Sequence, residues 1–262
     1  MFMSIENDIA SEMYSFGIGN TPLIKLDDNL YAKAEFCNKF GSIKSRAAFF
    51  MIDYALKTGI INRDTIIVEA SSGNTGIAVA GISNLFGLKS KIIIPEGASN
   101  GTKDYLKSLG SDLILTKGNS TEASIEYARS IVESDPRRYF RLNQHGNNLN
   151  SDAHYYTTAP EIKNEIINVD FLVAGIGTGG TITGISRYLK ENGNTKTVGI
   201  IPDSGSHIFG LRNPFISNNK GILDKYMKYI DDVKELNEKY AYYGVRELMD
   251  KQRLFCRPLI GC

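Results

Sequence analysis

The sequence predicts an α/β fold built on mostly parallel sheets. Short runs rich in β-branched residues alternate with stretches of helical spacing, and turns rich in Gly, Ser and Asn separate them. This alternation indicates strand–helix–strand units with right-handed crossovers. The 262 residues, of which 42% are hydrophobic, are enough for one large domain or two smaller ones.

Each predicted strand is a short apolar run that ends at a turn, and each predicted helix has apolar residues three or four positions apart. The strands are, in chain order, "TIIVEA", "KIIIPEG", "SDLILT", "YFRLNQ", "FLVAG" and "TVGIIPD". The helices run through "IAVAGISNLFG", "TKDYLKSLG", "EASIEYARSIVES", "PEIKNEI" and "ITGISRYLKENG". Because parallel sheets bind ligands at the carboxyl ends of their strands, the loops after the strands are the first place to look for a site.

The charge pattern argues against nucleic-acid and membrane partners. Lys and Arg total 30 against 29 Asp and Glu, the net charge is +1, and the basic residues form no run. No apolar run approaches ~20 residues, and the N-terminal segment mixes acids with apolar residues, so we expect neither a membrane span nor a signal peptide. We therefore expect a cytoplasmic protein.

Cysteine and histidine spacing predicts no metal site. The three cysteines, Cys37, Cys256 and Cys262, are too few and too scattered for a disulfide framework or a CxxC site, which fits a reducing compartment. The three histidines form no ligand pair at helical spacing.

The turn "GIGTGGT", residues 175–181, lies between a strand and a helix. Glycines in such a turn let backbone N–H groups converge at a helix N-terminus, where they bind phosphate. An alternative remains open, because Gly175, Gly177 and Gly180 also satisfy GxGxxG and Asp203 ends the next strand, as in a nicotinamide oxidoreductase. Only one clear strand follows this turn, which is too few for a full dinucleotide fold.

The loop "EASSGNTG", residues 69–76, brings several polar side chains to the start of another helix. Hydroxyl and amide groups beside free backbone N–H donors suit a carboxylate. The alternative is a serine that only caps the helix, which would explain one hydroxyl but not four polar residues around a glycine. The functional interpretation is preferred.

Lys44, in "GSIKSR", lies where an amphipathic helix is predicted to begin. Most lysines are solvated surface charges, so this residue needs support from elsewhere in the sequence.

That support comes from a family resemblance. In this order and spacing, "GSIKSR", "EASSGNTGIAVA" and "AGIGTGGTITG" resemble the cysteine synthase and cystathionine β-synthase family of fold type II pyridoxal-phosphate enzymes. The similarity runs from "GNTPLIKL" through "YYGVREL", nearly the whole chain. It implies a two-lobed fold, with a smaller mobile lobe at 46–146 carrying the substrate loop, and a larger cofactor lobe formed by 1–45 plus 147–262.

The resemblance also implies roles for individual residues. Lys44 would condense with the aldehyde of pyridoxal 5'-phosphate and later act as acid and base at the substrate Cα. Asn74 would bond the phenolate oxygen of the cofactor. The phosphate would be held by Gly177, Thr178, Gly179, Gly180 and Thr181. The substrate carboxylate would be held by Ser71, Ser72, Gly73, Asn74 and Thr75, with help from Gln144.

The implied reaction is β-replacement on an O-activated L-serine, either O-phosphoserine or O-acetylserine, through an aminoacrylate. Thr75 and Thr178 favour replacement over dehydration, because deaminating relatives usually carry other residues there. Sulfide would give L-cysteine. The segments "IPDSGSHIFG" and "YYGVRELM" resemble the branch that joins O-phosphoserine to L-glutamate for diaminopropionate, so the nucleophile stays open. A catalytically silent paralogue that binds a partner is the other function class.

Two features near the C-terminus modify these expectations. The family usually has a serine that bonds the pyridine nitrogen, and Leu259 aligns at that position in a chain expected to be C-terminally shortened. We expect apolar surface to be exposed as a result and to be covered by a second copy, which predicts a homodimer.

Arg212 is assigned to a surface ion pair, with contact to a substrate phosphate or carboxylate as the alternative.

Overall fold

A computed structural model describes residues 4–118, 121–216 and 221–254, and it confirms the α/β class with parallel sheets. The strands are β1 (Leu23–Asp27), β2 (Leu30–Lys33), β3 (Ile66–Ala70), β4 (Lys89–Pro95), β5 (Asp112–Thr116), β6 (Tyr139–Arg141), β7 (Phe171–Gly175), β8 (Lys196–Pro202) and β9 (Asp232–Leu236). The α-helices are α1 (Ile5–Ser15), α2 (Lys44–Lys57), α3 (Asn74–Leu85), α4 (Asn100–Ser108), α5 (Thr121–Ser134), α6 (Leu149–Ala153), α7 (Ala159–Glu165), α8 (Gly180–Glu191), α9 (Ile222–Tyr226) and α10 (Glu238–Gln252). Helix α6 continues into α7 through a π-helical turn, His154–Thr158.

The chain divides into two units. Unit 1 comprises the described residues of 1–18 and 37–143, and unit 2 those of 19–36 and 144–262. These boundaries differ from the predicted lobes, because α2 packs against α1 and α3 and thereby places Lys44 in unit 1. Which lobe moves and which holds the cofactor stays a prediction.

Unit 1 is built on a four-stranded parallel sheet with the order β5–β4–β3–β6. All five residues of β3 are buried, as expected for a strand inside a parallel sheet with helices on its faces. On one face Val68 and Ile93 pack with Ala128 of α5. The carboxyl end of β3 leads directly to the polar loop, residues 71–73, and to the first turn of α3.

Unit 2 contains the antiparallel pair β1–β2 and a parallel sheet with the order β7–β8–β9. Its buried core is made by Ile176, Ile182, Ile201, Leu223 and Ile230. Because Ile176 lies within the glycine turn and Ile182 within α8, the turn rests on packed apolar side chains.

One face of β7 is apolar and exposed. Phe171 and Val173 are 62% and 61% exposed, and residues two apart on a strand point to the same side. Strand β7 lies at the end of the described order β7–β8–β9. We call these two residues the apolar strip.

The structure adds elements that the sequence patterns did not reveal. Strand β9 reads "DVKEL", and three of its five residues are exposed. Because its exposed residues are mostly charged, the sequence shows no apolar run there that would predict a strand. The hairpin β1–β2 is held in part by Lys33, whose Nζ lies 2.9 Å from a carboxylate oxygen of Glu161. That contact spans more than a hundred positions, so no local pattern predicts it.

Candidate active site

Lys44 is the first residue of α2, at the predicted helix start. Its backbone N–H donates to Ser42 Oγ at 3.3 Å, and the next two residues, Ser45 and Arg46, are fully buried. Burial lowers the pKa of the Lys44 amine, because loss of hydration disfavours the charged form. More of the amine is therefore neutral, and the neutral amine is the form that attacks an aldehyde.

The polar loop after β3 is shaped by its own backbone. Gly73 is the N-cap of α3, so no serine occupies the capping position that the alternative interpretation requires. Ser71 Oγ instead accepts the N–H of Gly73 at 3.3 Å. A Cβ at Gly76 would collide with the carbonyl oxygen of Ser71, so only glycine lets the first turn of α3 come this close. The polar residues 71–75 thus lie at the positive end of the α3 dipole, which suits an anion.

Glu69 lies just before this loop and is 3% exposed. Burial raises the pKa of its carboxyl to about 7, against the opposing attraction of Arg141 and a hydrogen bond from the Ala70 N–H. Among the described residues, Glu69 Oε2 and Arg141 Nε are both buried without a hydrogen-bond partner. The carboxyl is therefore poised between its neutral and charged forms near pH 7.

The glycine turn of unit 2 is closely packed on several sides. Gly179, the N-cap of α8, has φ of +89°, a left-handed conformation that favours glycine. A Cβ at Gly177 would collide with the carbonyl oxygen of Gly210, and one at Gly180 with Oδ1 of Asn150. Side chains are thus excluded at residues 177, 179 and 180, and the backbone of the turn lies at the start of a 12-residue helix. This arrangement fits a phosphate group.

Two residues behind the glycine turn were missed by the sequence reasoning. Asn150 donates from Nδ2 to the hydroxyl oxygen of Thr178 at 3.0 Å. His154 lies 3.2 Å through Nε2 from Thr181 Oγ1, and 2.9 Å through Nδ1 from Thr158 Oγ1. Asn150 ends the segment "LNQHGNNLN", and His154 begins "HYYTTAPEI". Both segments are part of the family resemblance, so the resemblance could have pointed to these two residues.

The other sequence-predicted residues are distributed as follows. Thr75 is buried in the first turn of α3, and Asn74 begins that helix, both in unit 1. Gln144 belongs to unit 2, and its main-chain oxygen accepts a hydrogen bond from Asn150 Nδ2 at 2.8 Å. Arg212 is half-buried, and its Nε donates to the carbonyl oxygen of Gly177 at 2.7 Å. The guanidinium is therefore anchored to the glycine turn.

Several predictions concern absences or undescribed positions. Leu259 lies outside the described residues. Within the described ranges, no group of three or more His, Cys, Asp or Glu is placed to hold a metal ion. The helices of the described part all lack the combination of length and apolar character needed to cross a bilayer.

Residues 14–262 match the protein family described as "Pyridoxal-phosphate dependent enzyme". Cysteine synthase of Aquifex aeolicus is 36% identical over 252 residues, which cover 91% of this chain and 76% of that protein. Cysteine synthase B of Campylobacter jejuni is 40% identical over 247 residues, which cover 88% of this chain and 81% of that protein.

Solved structures give the same result. A hydrogen sulfide-producing enzyme of Fusobacterium nucleatum matches with a TM-score of 0.82 at 33% identity, covering 98% of this chain and 87% of that one. An O-acetylserine dependent cystathionine beta-synthase of Helicobacter pylori matches with a TM-score of 0.81 at 30% identity, with the same coverage of 98% and 87%.

These matches confirm the resemblance, the fold type and the cofactor, pyridoxal 5'-phosphate. They argue against a nicotinamide oxidoreductase, because the matched residues include the glycine turn on which that interpretation was based. The chain is an enzyme of the synthase type. It belongs to the family of pyridoxal-phosphate-dependent enzymes.

Proposed function

We propose that this enzyme catalyses β-replacement on an O-activated L-serine and forms L-cysteine with sulfide. The observation that carries the proposal is the 40% identity to a cysteine synthase B over 88% of this chain. The half-buried Lys44, the polar loop and the glycine turn support it, because they would provide an amine, a carboxylate site and a phosphate site.

The cofactor, when bound, supplies an electron sink that stabilises negative charge at the substrate Cα. Lys44 would bind the cofactor aldehyde through its neutral Nζ, aided by the lowered pKa of this amine. The backbone of Gly177–Thr181 would hold the phosphate, and Asn74 would bond the ring oxygen. We assign the substrate carboxylate to the polar loop at the start of α3, with Gln144 as a further donor.

Proton and bond changes follow from these assignments. Lys44, once released, takes the proton from the substrate Cα. The Cβ–O bond would then break, and the departing phosphate or acetate would take the electron pair of that bond. Sulfide forms the new Cβ–S bond, and Lys44 returns its proton to Cα, so the sum is exchange of the ester for a thiol.

For the activated serine we propose O-phosphoserine. Support comes from Arg212, a half-buried guanidinium bonded to the carbonyl oxygen of Gly177. Arginine suits a phosphate because its planar fork donates two parallel hydrogen bonds. Arg212→Leu is expected to raise the KM for O-phosphoserine at least ten times more than that for O-acetylserine, whereas the exposed Arg246→Leu is expected to change neither. An equal effect on both substrates would remove this support for O-phosphoserine.

The test of the reaction is product analysis by mass spectrometry. Purified enzyme is incubated with O-phosphoserine or O-acetylserine, each with sulfide or with L-glutamate. Cysteine formation supports the proposal. An adduct with L-glutamate would instead assign the chain to diaminopropionate synthesis, and no product from any pair would favour the silent paralogue.

A further inference from the structure

The amide of Asn150 is fully used by two acceptors. Its Nδ2 donates to the main-chain oxygen of Gln144 at 2.8 Å and to Thr178 Oγ1 at 3.0 Å. A side-chain amide has two hydrogens on nitrogen, so both are used. Because the carbonyl oxygen of Gln144 can only accept, the NH₂ group must face it and the amide has one possible orientation. Asn150 is 1% exposed, so water does not compete for these bonds.

The hydroxyl of Thr178 is consequently oriented. Its oxygen accepts from Asn150 Nδ2 and, at 3.3 Å, from the N–H of Gly180. A hydroxyl has two acceptor sites and one hydrogen, so both acceptor sites are filled. Among the described residues this hydroxyl donates to no group. Thr178 is 6% exposed, so its hydrogen is left for an acceptor that enters the glycine turn.

We propose that Asn150 is a positioning residue for the cofactor: by filling one acceptor site of Thr178, it makes that hydroxyl a donor to the phosphate. This inference rests on the proposed assignment of the turn 177–181 to the phosphate. A phosphate accepts hydrogen bonds and donates few near neutral pH, so a hydroxyl held as a donor binds it, whereas a hydroxyl that donates elsewhere does not.

A purely structural role for Asn150 must be separated from this one. Its Oδ1 packs against Gly180, where an added Cβ would collide with it, so Asn150 also shapes the turn. A shape effect would persist without the Thr178 hydroxyl. An effect through that hydroxyl would disappear with it, and this difference can be measured with a double-mutant cycle.

The experiment uses the full chain with its cofactor removed and titrates pyridoxal 5'-phosphate by fluorescence. Asn150→Asp keeps the side-chain shape but removes both N–H donors, so the Thr178 hydroxyl would donate to the new carboxylate instead. We expect the Kd to rise about 10- to 100-fold. The added charge is controlled by Asn150→Leu, which also removes the donors and is expected to weaken binding by a similar factor.

The cycle is completed in the Thr178→Val background, which lacks the hydroxyl. There the Asn150 substitutions are expected to change the Kd less than about threefold. Thr178→Ser, which keeps the hydroxyl, is expected to restore the full effect of Asn150→Asp. The ³¹P resonance of the bound cofactor gives a second readout, and it should move in Asn150→Asp and Thr178→Val alike.

The matched control is Thr195→Val. Thr195 is a buried threonine of the same unit, and its Oγ1 donates to the main-chain oxygen of Val169 at 2.8 Å, outside the glycine turn. We expect it to lower stability and leave the ³¹P resonance unchanged. Equal losses from Asn150→Asp or Asn150→Leu in both backgrounds would overturn the inference and leave the proposed reaction intact. An unchanged Kd in Thr178→Val alone would overturn the phosphate assignment, and the inference with it.

Discussion

Gly179 and Leu223 are in such close contact that a Cβ on Gly179 would lie 2.7 Å from Cδ2 of Leu223. Leu223 is fully buried in the core of unit 2, so its side chain cannot move aside without disturbing that packing. The left-handed φ of Gly179 adds a second restriction. The conformation of the turn is therefore set both by the backbone and by the core beneath it.

Gly179→Val is predicted to weaken pyridoxal-phosphate binding more than tenfold, because the turn must move to admit the side chain. Titration of the cofactor measures this. Gly205→Val is the matched control, since Gly205 has φ of +94° but no heavy atom within 4 Å of its added Cβ. Both variants should lose about 1–3 kcal/mol of stability from backbone strain. If both bind the cofactor equally well, the turn is not the phosphate site.

Lys44→Ala is predicted to abolish both turnover and the visible absorbance of a lysine-bound cofactor. Only an amine forms the reversible imine, so Lys44→Arg should fail as well, because its guanidinium stays protonated. Lys39→Ala, at an exposed lysine five positions earlier, is the control and should keep both properties. Turnover in Lys44→Ala would count decisively against the assignment.

Glu69 is predicted to make stability depend on pH. Its pKa is raised from 4.5 to about 7 in the folded chain. Below pH 4.5 the carboxyl is neutral in both the folded and the unfolded state. Between pH 4.5 and 7 the unfolded chain releases this proton while the folded chain keeps it, so stability falls over that range and levels off above pH 7. The shift corresponds to about 3 kcal/mol.

Glu69→Gln removes that dependence. Denaturant unfolding at a series of pH values should show the variant gaining on the wild type by about 3 kcal/mol between pH 4.5 and 8. Glu126→Gln, at an exposed position of α5, should show no such gain. A constant difference between Glu69→Gln and the wild type across this range would mean that Glu69 stays charged in the folded protein.

Strand β3 could be predicted from the sequence because it is buried on both faces. All five residues of β3, within "TIIVEA", are buried, and four of them are apolar. Such a short apolar run is the pattern that predicts a strand inside a parallel sheet. Strand β9 escaped because its exposed residues are charged. The glycine turn and Lys44 were recognised through motifs, whereas Asn150 acts on Thr178 from 28 positions away. Only coordinates show that these two side chains are hydrogen-bonded to each other.

Ser72→Ala and Asn74→Ala are predicted to leave the lysine-bound cofactor intact but to slow its reaction with an O-activated serine. Each should lose about 1–3 kcal/mol of charge-assisted hydrogen bonding to the substrate carboxylate. Stopped-flow absorbance after mixing with the substrate measures the loss.

A helix-capping serine provides the control for these variants. Ser99 caps α4 by accepting the N–H of Thr102 at 3.2 Å, so Ser99→Ala should cost about 1 kcal/mol of stability and no reaction rate. If Ser72→Ala and Asn74→Ala behave like Ser99→Ala, the polar loop is only a helix start.

The apolar strip, Phe171 and Val173, is predicted to lie in the interface of a homodimer. Fully burying a large apolar side chain from complete exposure gains about 1.5–3 kcal/mol, which is an upper limit for these two partly covered residues, and a twofold axis doubles the gain. Light scattering should therefore give twice the mass of one chain.

Val173→Glu should shift the protein toward the monomer, because the dimer would have to bury a charge from each copy. Ile167→Glu, at a residue that is 79% exposed but outside β7, is the control and should keep the dimer. A wild-type monomer at all accessible concentrations, or a dimer that Val173→Glu leaves unchanged, would remove the strip from any interface.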